Sequence, residues 1–314
     1  MNVVALAGGV GGAKLVAGLA KILPPDQLIV VVNTGDDFEY LNLRISPDLD
    51  TVCYTLAGLA NPETGWGQRD ETWVTYHSIA QLGGPDWFRL GDKDLATHLI
   101  RTRKLSQGKA LSTITRDHCQ RWGIGHRIYP MSDDPIETIV HTQSGDALGF
   151  QEYFVHQACQ PVVKSFEFKG AEKAKPLTSV LEGIQNADLV IFAPSNPWVS
   201  IDPILAVPGY RQAIAEKPVI AVSPIIGGKA VKGPAAKMYK ELGFVPTAAV
   251  VANHFRQLLT GFVFDTIDRS ELEKIERWRI ISLVTNILMK DEQDRIRLAE
   301  EILRFGEMIL HRSR

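Results

Sequence analysis

Four short runs in this chain are apolar at every position: "VVALA" (Val3 to Ala7), "LIVVV" (Leu28 to Val32), "LVIFA" (Leu189 to Ala193) and "VIAV" (Val219 to Val222). A strand wetted on one face alternates apolar and polar residues. Unbroken runs belong instead to a parallel sheet with helices packed on both faces. Between the first two runs, "GAKLVAGLAKIL" repeats Leu15, Val16, Leu19, Ile22 and Leu23 at helical spacing, and "PPD" ends it. Strand, glycine turn, helix and strand make one βαβ unit, and a second group of such units follows Ala187. The expected fold class is therefore α/β: a doubly wound, mostly parallel, Rossmann-like sheet with helices on both faces.

The stretch from about 61 to 156 breaks this rhythm. It is rich in Trp, Arg and Asp and reads as an inserted, mostly helical segment leading into a short β region. A chain of 314 residues can form one elaborate domain or two smaller ones. We read it as a single domain over 1–314 that carries 61–156 as a subdomain. The last stretch, "DEQDRIRLAEEILRFGEMIL", has the apolar stripe of an amphipathic helix.

A formal net charge of -2 provides no global basic field to hold nucleic acid or an anionic membrane, so any anion site must be local. Cys53, Cys119 and Cys159 are odd in number and far apart, which supports neither a disulfide framework nor zinc-ligand spacing. The opening "MNVVALAGGVGG" lacks the basic flank of a signal peptide, and no run approaches the roughly 18 apolar residues of a membrane span. The expected location is the reducing cytoplasm.

In open parallel sheets, ligands bind at the carboxyl ends of the strands. Four unusual loops fall there: "AGGVGGAK", "NTGDD", "APSNP" and "SPIIGGKAVKGPA". Gly9, Gly11 and Gly12 would let backbone amides approach a phosphate at a helix N-terminus; the other reading is a tight strand-to-helix turn. Neither standard glycine fingerprint is met, because Lys14 takes the third glycine position and Leu15 follows the lysine. Lys14 in the first helical turn favours the anion, since a cation there opposes the helix dipole. Gly227, Gly228 and Gly233 with Lys229 and Lys232 suit a diphosphate, or else form a solvated surface loop. Ser195 and Asn196, framed by prolines, suit ligand hydrogen bonds or an ordinary turn.

"NTGDDFEYLNLRISPDLDT" gathers Asp36, Asp37, Glu39, Asp48 and Asp50 behind the second strand. So many carboxylates beside an anion site repel the ligand unless a divalent cation or a substrate hydroxyl intervenes. Magnesium is the economical cofactor. Ser46 or Asp48 can cap the helix of "TVCYTLAGLA", and Asp50 can be a metal ligand or accept the proton of an attacking hydroxyl. "WFRLGDKDLATH" pairs aromatics with Arg89, which suits a flat heterocycle, while His98 reads as a satisfied helix residue.

In order, "GGVGGAK", "NTGDD", "ISPDLDT", "GWGQRDETW", "WFRLGDKDLATHL", "PMSDDP", "APSNP", "VPGYR" and "SPIIGGKAVKGPA" resemble the 2-phospho-L-lactate transferases, the CofD family of deazaflavin coenzyme biosynthesis. The resemblance implies a magnesium-dependent transfer. A primary hydroxyl of the deazaflavin Fo attacks a guanosine-diphospho-activated lactate or enolpyruvate, releasing GMP and forming the coenzyme F(420) precursor. It further implies that Asp50 and Arg89 contact the acceptor, and that Asp48 and Asp50 lie near the magnesium. Gly9, Gly11, Gly12, Lys14, Ser195, Asn196, Gly227 and Gly228 would serve the guanine nucleotide, the insertion would complete the acceptor site, and the protein would be a homodimer. Asp50→Ala is expected to abolish transfer and leave the fold intact. Lys93 stands where the family pattern leads one to expect arginine, which removes a bidentate fork there. Two rivals remain. A nicotinamide-dependent oxidoreductase would use Asp36 on a ribose but lacks its third glycine; a nucleotide- or nucleotide-sugar-binding regulator of the same superfamily would share the glycine turn and the sheet.

Overall fold

The computed structural model describes residues 1–231 and 233–312. β1 (Val3–Ala7), α1 (Val10–Ile22) and β2 (Leu28–Val32) form the expected first unit, with every residue of both strands buried. A hairpin of β3 (Phe38–Tyr40) and β4 (Leu43–Ile45) leads into α2 (Pro47–Leu56). Three helices follow, α3 (Val74–Gln81), α4 (Asp92–Ser106) and α5 (Leu111–Arg121), before β5 (Arg127–Pro130) returns to pair with β2. A separate antiparallel sheet comprises β6 (Glu137–Thr142), β7 (Ala147–Gly149) and β8 (Val163–Lys169). The chain then runs through α6 (Thr178–Gln185), β9 (Leu189–Phe192), α7 (Asp202–Ala206), α8 (Tyr210–Ala215) and β10 (Val219–Val222). A small hairpin, β11 (Ile225–Ile226) and β12 (Lys229–Ala230), precedes α9 (Ala235–Glu241) and α10 (Ala248–His254). β13 (Gly261–Phe264), α11 (Leu272–Glu276), β14 (Ile281–Val284) and α12 (Glu292–Arg312) close the fold.

The central sheet has the order β14-β13-β10-β9-β1-β2-β5, and every neighbouring pair is parallel. From β1 the chain winds outward through β2 to β5, then returns to β9 and winds the other way. The order therefore reverses between β1 and β9, where the loops diverge and leave a crevice. α1 and α12 cover one face, with Leu15 and Leu19 packed in one buried cluster with Leu298 and Ile302. Ile184, Tyr210 and Val251 belong to the cluster on the other face. Gly18 permits the close approach of α1 to α12, since a Cβ there would lie 2.1 Å from the Arg295 carbonyl oxygen.

Three sheet strands lack the expected signal for physical reasons. β5 begins with arginine and ends in proline, which an edge strand tolerates because one side of its ladder needs no donors. β14 is half-buried throughout at the opposite edge. β13 is fully buried but only four residues long and opens on Gly261, where a Cβ would meet Ile309 at 2.8 Å. Among the described residues no helix is long and apolar enough to cross a membrane.

Candidate functional site

A cavity of about 640 Å³ opens at the carboxyl edge of the sheet, over the β1/β9 reversal. One wall is built from loops that follow sheet strands: Gly9, Gly11 and Lys14 after β1, Pro194 to Asn196 after β9, and Ser223 and Pro224 after β10. The lining is also aromatic, with Trp66, Trp87, Phe88, Phe150 and Phe154. Asp36, Asp48, Asp50, Asp94 and His98 line the same space.

The glycine turn is tight because other backbone and side-chain groups crowd it. A Cβ would lie 2.6 Å from Asp48 Oδ1 at Gly9, 2.3 Å from the Pro194 carbonyl oxygen at Gly11, and 2.8 Å from Ser195 Oγ at Gly12. Gly12 does not line the cavity, in contrast to its expected phosphate role; it packs against Ser195, whose hydroxyl accepts the Gly8 amide at 3.0 Å. The Asn196 side chain caps the following turn by accepting the Trp198 amide at 3.1 Å. Lys14 Nζ donates to the Met289 carbonyl at 2.8 Å. Gly227 and Gly228 do not line the cavity. They occupy the two-residue turn joining β11 to β12, with φ of 56° and 77°, as a turn with two left-handed residues requires. The Gly227 amide is taken by the Asp268 carboxylate at 3.0 Å. From the same loop Gly233 reaches the cavity, and Lys232 lies outside the described residues. Gly11→Ala is expected to cost about 1–3 kcal/mol, because the clash is with backbone that cannot rotate away; thermal unfolding measures it.

The acidic stretch divides into two groups. In the first, Arg101 is almost fully buried and grips Asp50 with both guanidinium nitrogens, Nη1 at 2.9 Å from Oδ2 and Nη2 on Oδ1. Asp37 accepts the Ser46 hydroxyl at 2.7 Å and lies 3.6 Å from Arg44. Ser46 does sit at the N-cap of α2, but its hydroxyl turns to Asp37 and makes no cap bond. In the second group, Asn33 Nδ2 donates to Asp36 at 3.2 Å and to Asp48 at 2.9 Å, and Gln151 Nε2 donates to Asp36 at 3.1 Å. No ion pair to a lysine, arginine or histidine is made by Asp36 or Asp48 among the described residues. Asp48 and Asp50 were expected at one metal. On a helix, positions two apart point about 200° away from each other, and here they join different groups.

Burial governs the titration of these acids. It pushes Asp48 up to about 7 against the Asn33 amide and the Gly9 backbone amide, and Asp37 up to about 7 against Arg44 and Ser46. Asp36 is raised well above the carboxylate range by burial and by the neighbouring Asp48 and Asp37 charges. A folded-state pKa above the unfolded value of about 4 favours the fold at low pH, and that advantage is lost as pH rises through 7. Acids with depressed values are ionised in both states above about pH 5 and leave the slope unchanged. The metal-free protein is therefore expected to melt several degrees lower at pH 8 than at pH 5.5, as calorimetry would detect.

Sequence reasoning missed Asp94 and Arg101, and took His98 for a satisfied helix residue. All three lie on one face of α4 at i, i+4 and i+7, a spacing that could have revealed them. Arg101 Nη1 lies 3.1 Å from His98 Nδ1. A guanidinium only donates, so Nδ1 accepts and the ring proton sits on Nε2, 3.3 Å from Asp94 Oδ1. Burial would raise Asp94, but His98 and the Tyr54 hydroxyl at 2.7 Å hold it below the usual range. One ligand atom each from Asp50, Asp94 and His98 lie within 4.8 Å of one another. Arg101 already supplies a cation to Asp50, while His98 Nε2, though near Asp94, makes no hydrogen bond of good geometry. Arg89 lines the cavity with its guanidinium 4.5 Å over the Trp73 ring. Lys93 Nζ points away to the Arg69 carbonyl at 3.0 Å.

Comparison with known proteins agrees over nearly the whole chain. A family model described as 2-phospho-L-lactate transferase CofD matches residues 3–292. A phosphoenolpyruvate transferase of Streptomyces griseus is 44% identical over 316 residues, covering 98% of this chain and 99% of that protein. Its namesake in Streptomyces avermitilis is 46% identical over 317 residues, with 98% and 99% covered. The one in Mycobacterium tuberculosis is 45% identical over 276 residues, with 81% and 83% covered. A crystal structure of a UPF0052-family protein from Bacillus halodurans superposes with a TM-score of 0.60, covering 96% of this chain and 98% of that one. At 15% identity it speaks for the fold alone.

Proposed function

Because this chain belongs to the CofD family and is a transferase, we propose that it moves a phosphoenolpyruvyl or phospholactyl group from a guanosine-diphospho-activated donor to the primary hydroxyl of the deazaflavin Fo, releasing GMP. The observation that carries this reading is the cavity itself, where strand-end loops, aromatic side chains and carboxylates line one space. A nucleotide donor suits the loops and a flat heterocycle suits the aromatics. The relatives named phosphoenolpyruvate transferase favour the enolpyruvyl donor.

Asp36 and Asp48 fit the magnesium that the resemblance implies, being two hard oxygen donors without an ion-paired cation among the described residues. Bound there, the ion would neutralise charge on the transferring phosphate. The chain's own residues would do the rest. Asn33 and Gln151 fix the two carboxylates, and the Gly9 amide holds Asp48 at the start of α1. Trp87 and Phe88 offer the acceptor ring a stacking face, and Arg89 offers donors at its edge. Asp94, kept ionised by His98 and Tyr54, would orient the acceptor hydroxyl and take its proton as the new O–P bond forms and the bond to GMP breaks. Asp50, held on both oxygens by Arg101, positions this wall and does not enter the reaction.

The test is to incubate the purified protein with Fo, magnesium and each guanosine-diphospho donor in turn, following product mass and GMP. Product heavier by one phosphoenolpyruvyl group, formed faster than with the lactyl donor, is the expected result. No product with either donor would overturn the reading.

A further inference from the structure

A second cleft, of about 540 Å³, is lined by residues of β8, α7, α8 and the end of α10, and shares none of its lining residues with the first cavity. Its wall holds two guanidinium groups, Arg211 and Arg256, both exposed. Neither makes an ion pair or a side-chain hydrogen bond among the described residues. Arg256 lies just past the C-terminus of α10, where the helix dipole favours a cation, but Arg211 is the second residue of α8, where the dipole opposes one. The dipole therefore accounts for one arginine and leaves the other unexplained.

The one carboxylate in the cleft, Asp202, is occupied by His254 Nε2 at 2.8 Å. On a chain of net charge -2, this is a local concentration of positive charge in a concave setting. The partly exposed Phe168 ring adds apolar surface, and the side-chain amides of Asn253 and Gln257 add neutral donors. The volume exceeds what a bare phosphate ion fills, and a guanidinium group matches phosphate oxygens. We propose that this cleft is a second binding site, separate from the transfer cavity, for a small organic phosphate whose organic body rests on the Phe168 ring.

The cleft also touches the wall of the first cavity. The His254 ring meets Trp198 edge-on, with centroids 5.6 Å apart, and the Trp198 amide is held by Asn196, which lines the transfer cavity. Trp198 can thus report on occupancy of the second cleft.

The experiment is a calorimetric titration of the full chain with adenosine 5′-monophosphate and, separately, inorganic phosphate. Arg211→Ala/Arg256→Ala, two exposed changes that leave the fold and the transfer cavity untouched, is titrated alongside. The wild type should show a class of AMP sites that the double variant weakens at least ten-fold, with transferase turnover unchanged in the absence of added AMP. Tryptophan fluorescence should respond to that class in the wild type and lose the response in Trp198→Phe. AMP should bind this class more tightly than inorganic phosphate, and equal affinities would overturn the organic-phosphate assignment. Superimposable isotherms for wild type and double variant, or no binding of either probe, would overturn the site itself. None of these readouts depends on Fo or on the donor, so failure here leaves the transferase reading standing.

Discussion

Asp48→Asn should lower turnover by roughly 100- to 1,000-fold, about 3–4 kcal/mol of barrier, while leaving the protein as stable as before or more so above pH 7. The two effects have opposite signs because one carboxylate serves two opposed demands. Asparagine keeps one acceptor oxygen for the Asn33 donor and removes a charge that burial makes costly, as the pKa of about 7 reflects. It also removes half of the Asp36 and Asp48 pair proposed for magnesium, so raising magnesium should recover little activity. Steady-state turnover across a magnesium series, read with melting temperatures at pH 6 and pH 8, checks both halves. Near-wild-type turnover, or a melting temperature that falls at pH 8, would count against the assignment.

Arg101→Leu should destabilise the protein by about 3–5 kcal/mol, because it leaves the Asp50 carboxylate buried without a cation. Asp50→Ala should cost a similar amount by stranding the guanidinium. The expectation from sequence that Asp50→Ala spares the fold is therefore revised, and lost activity in that variant alone says nothing about chemistry. Asp50→Leu combined with Arg101→Met replaces the pair with apolar groups and should recover most of the loss. Urea unfolding of the three variants provides the numbers. If Arg101→Leu stays within about 1 kcal/mol of wild type, the pair does not hold this wall together.

Much of the scaffold was legible because continuous apolar strands and an amphipathic helix are local patterns. The four runs at Val3, Leu28, Leu189 and Val219 all form strands of the central sheet, and the convergence of the loops after β1, β9 and β10 follows from parallel pairing. Motifs with more than one local use were less legible. The glycines at 227 and 228 have the composition of an anion loop and the dihedrals of a hairpin turn. Ser46 has the position of a cap, but its hydroxyl donates to the buried Asp37 carboxylate, nine residues earlier, and accepts no amide of α2.

The sequence by itself determined the class of sheet, the edge on which the site lies and the kinship of the chain, since each is written in runs and motifs of a few neighbouring residues. Only the tertiary structure decided which partner each carboxylate meets. Asp48 and Asp50 are two residues apart and look interchangeable in one dimension. In three, α2 turns Asp48 toward Asn33 of the β2 loop and Asp50 toward Arg101 of α4, fifty-one residues along the chain. A charge takes its role from the nearest cation and the depth of its burial, and both are set by packing between elements remote in sequence.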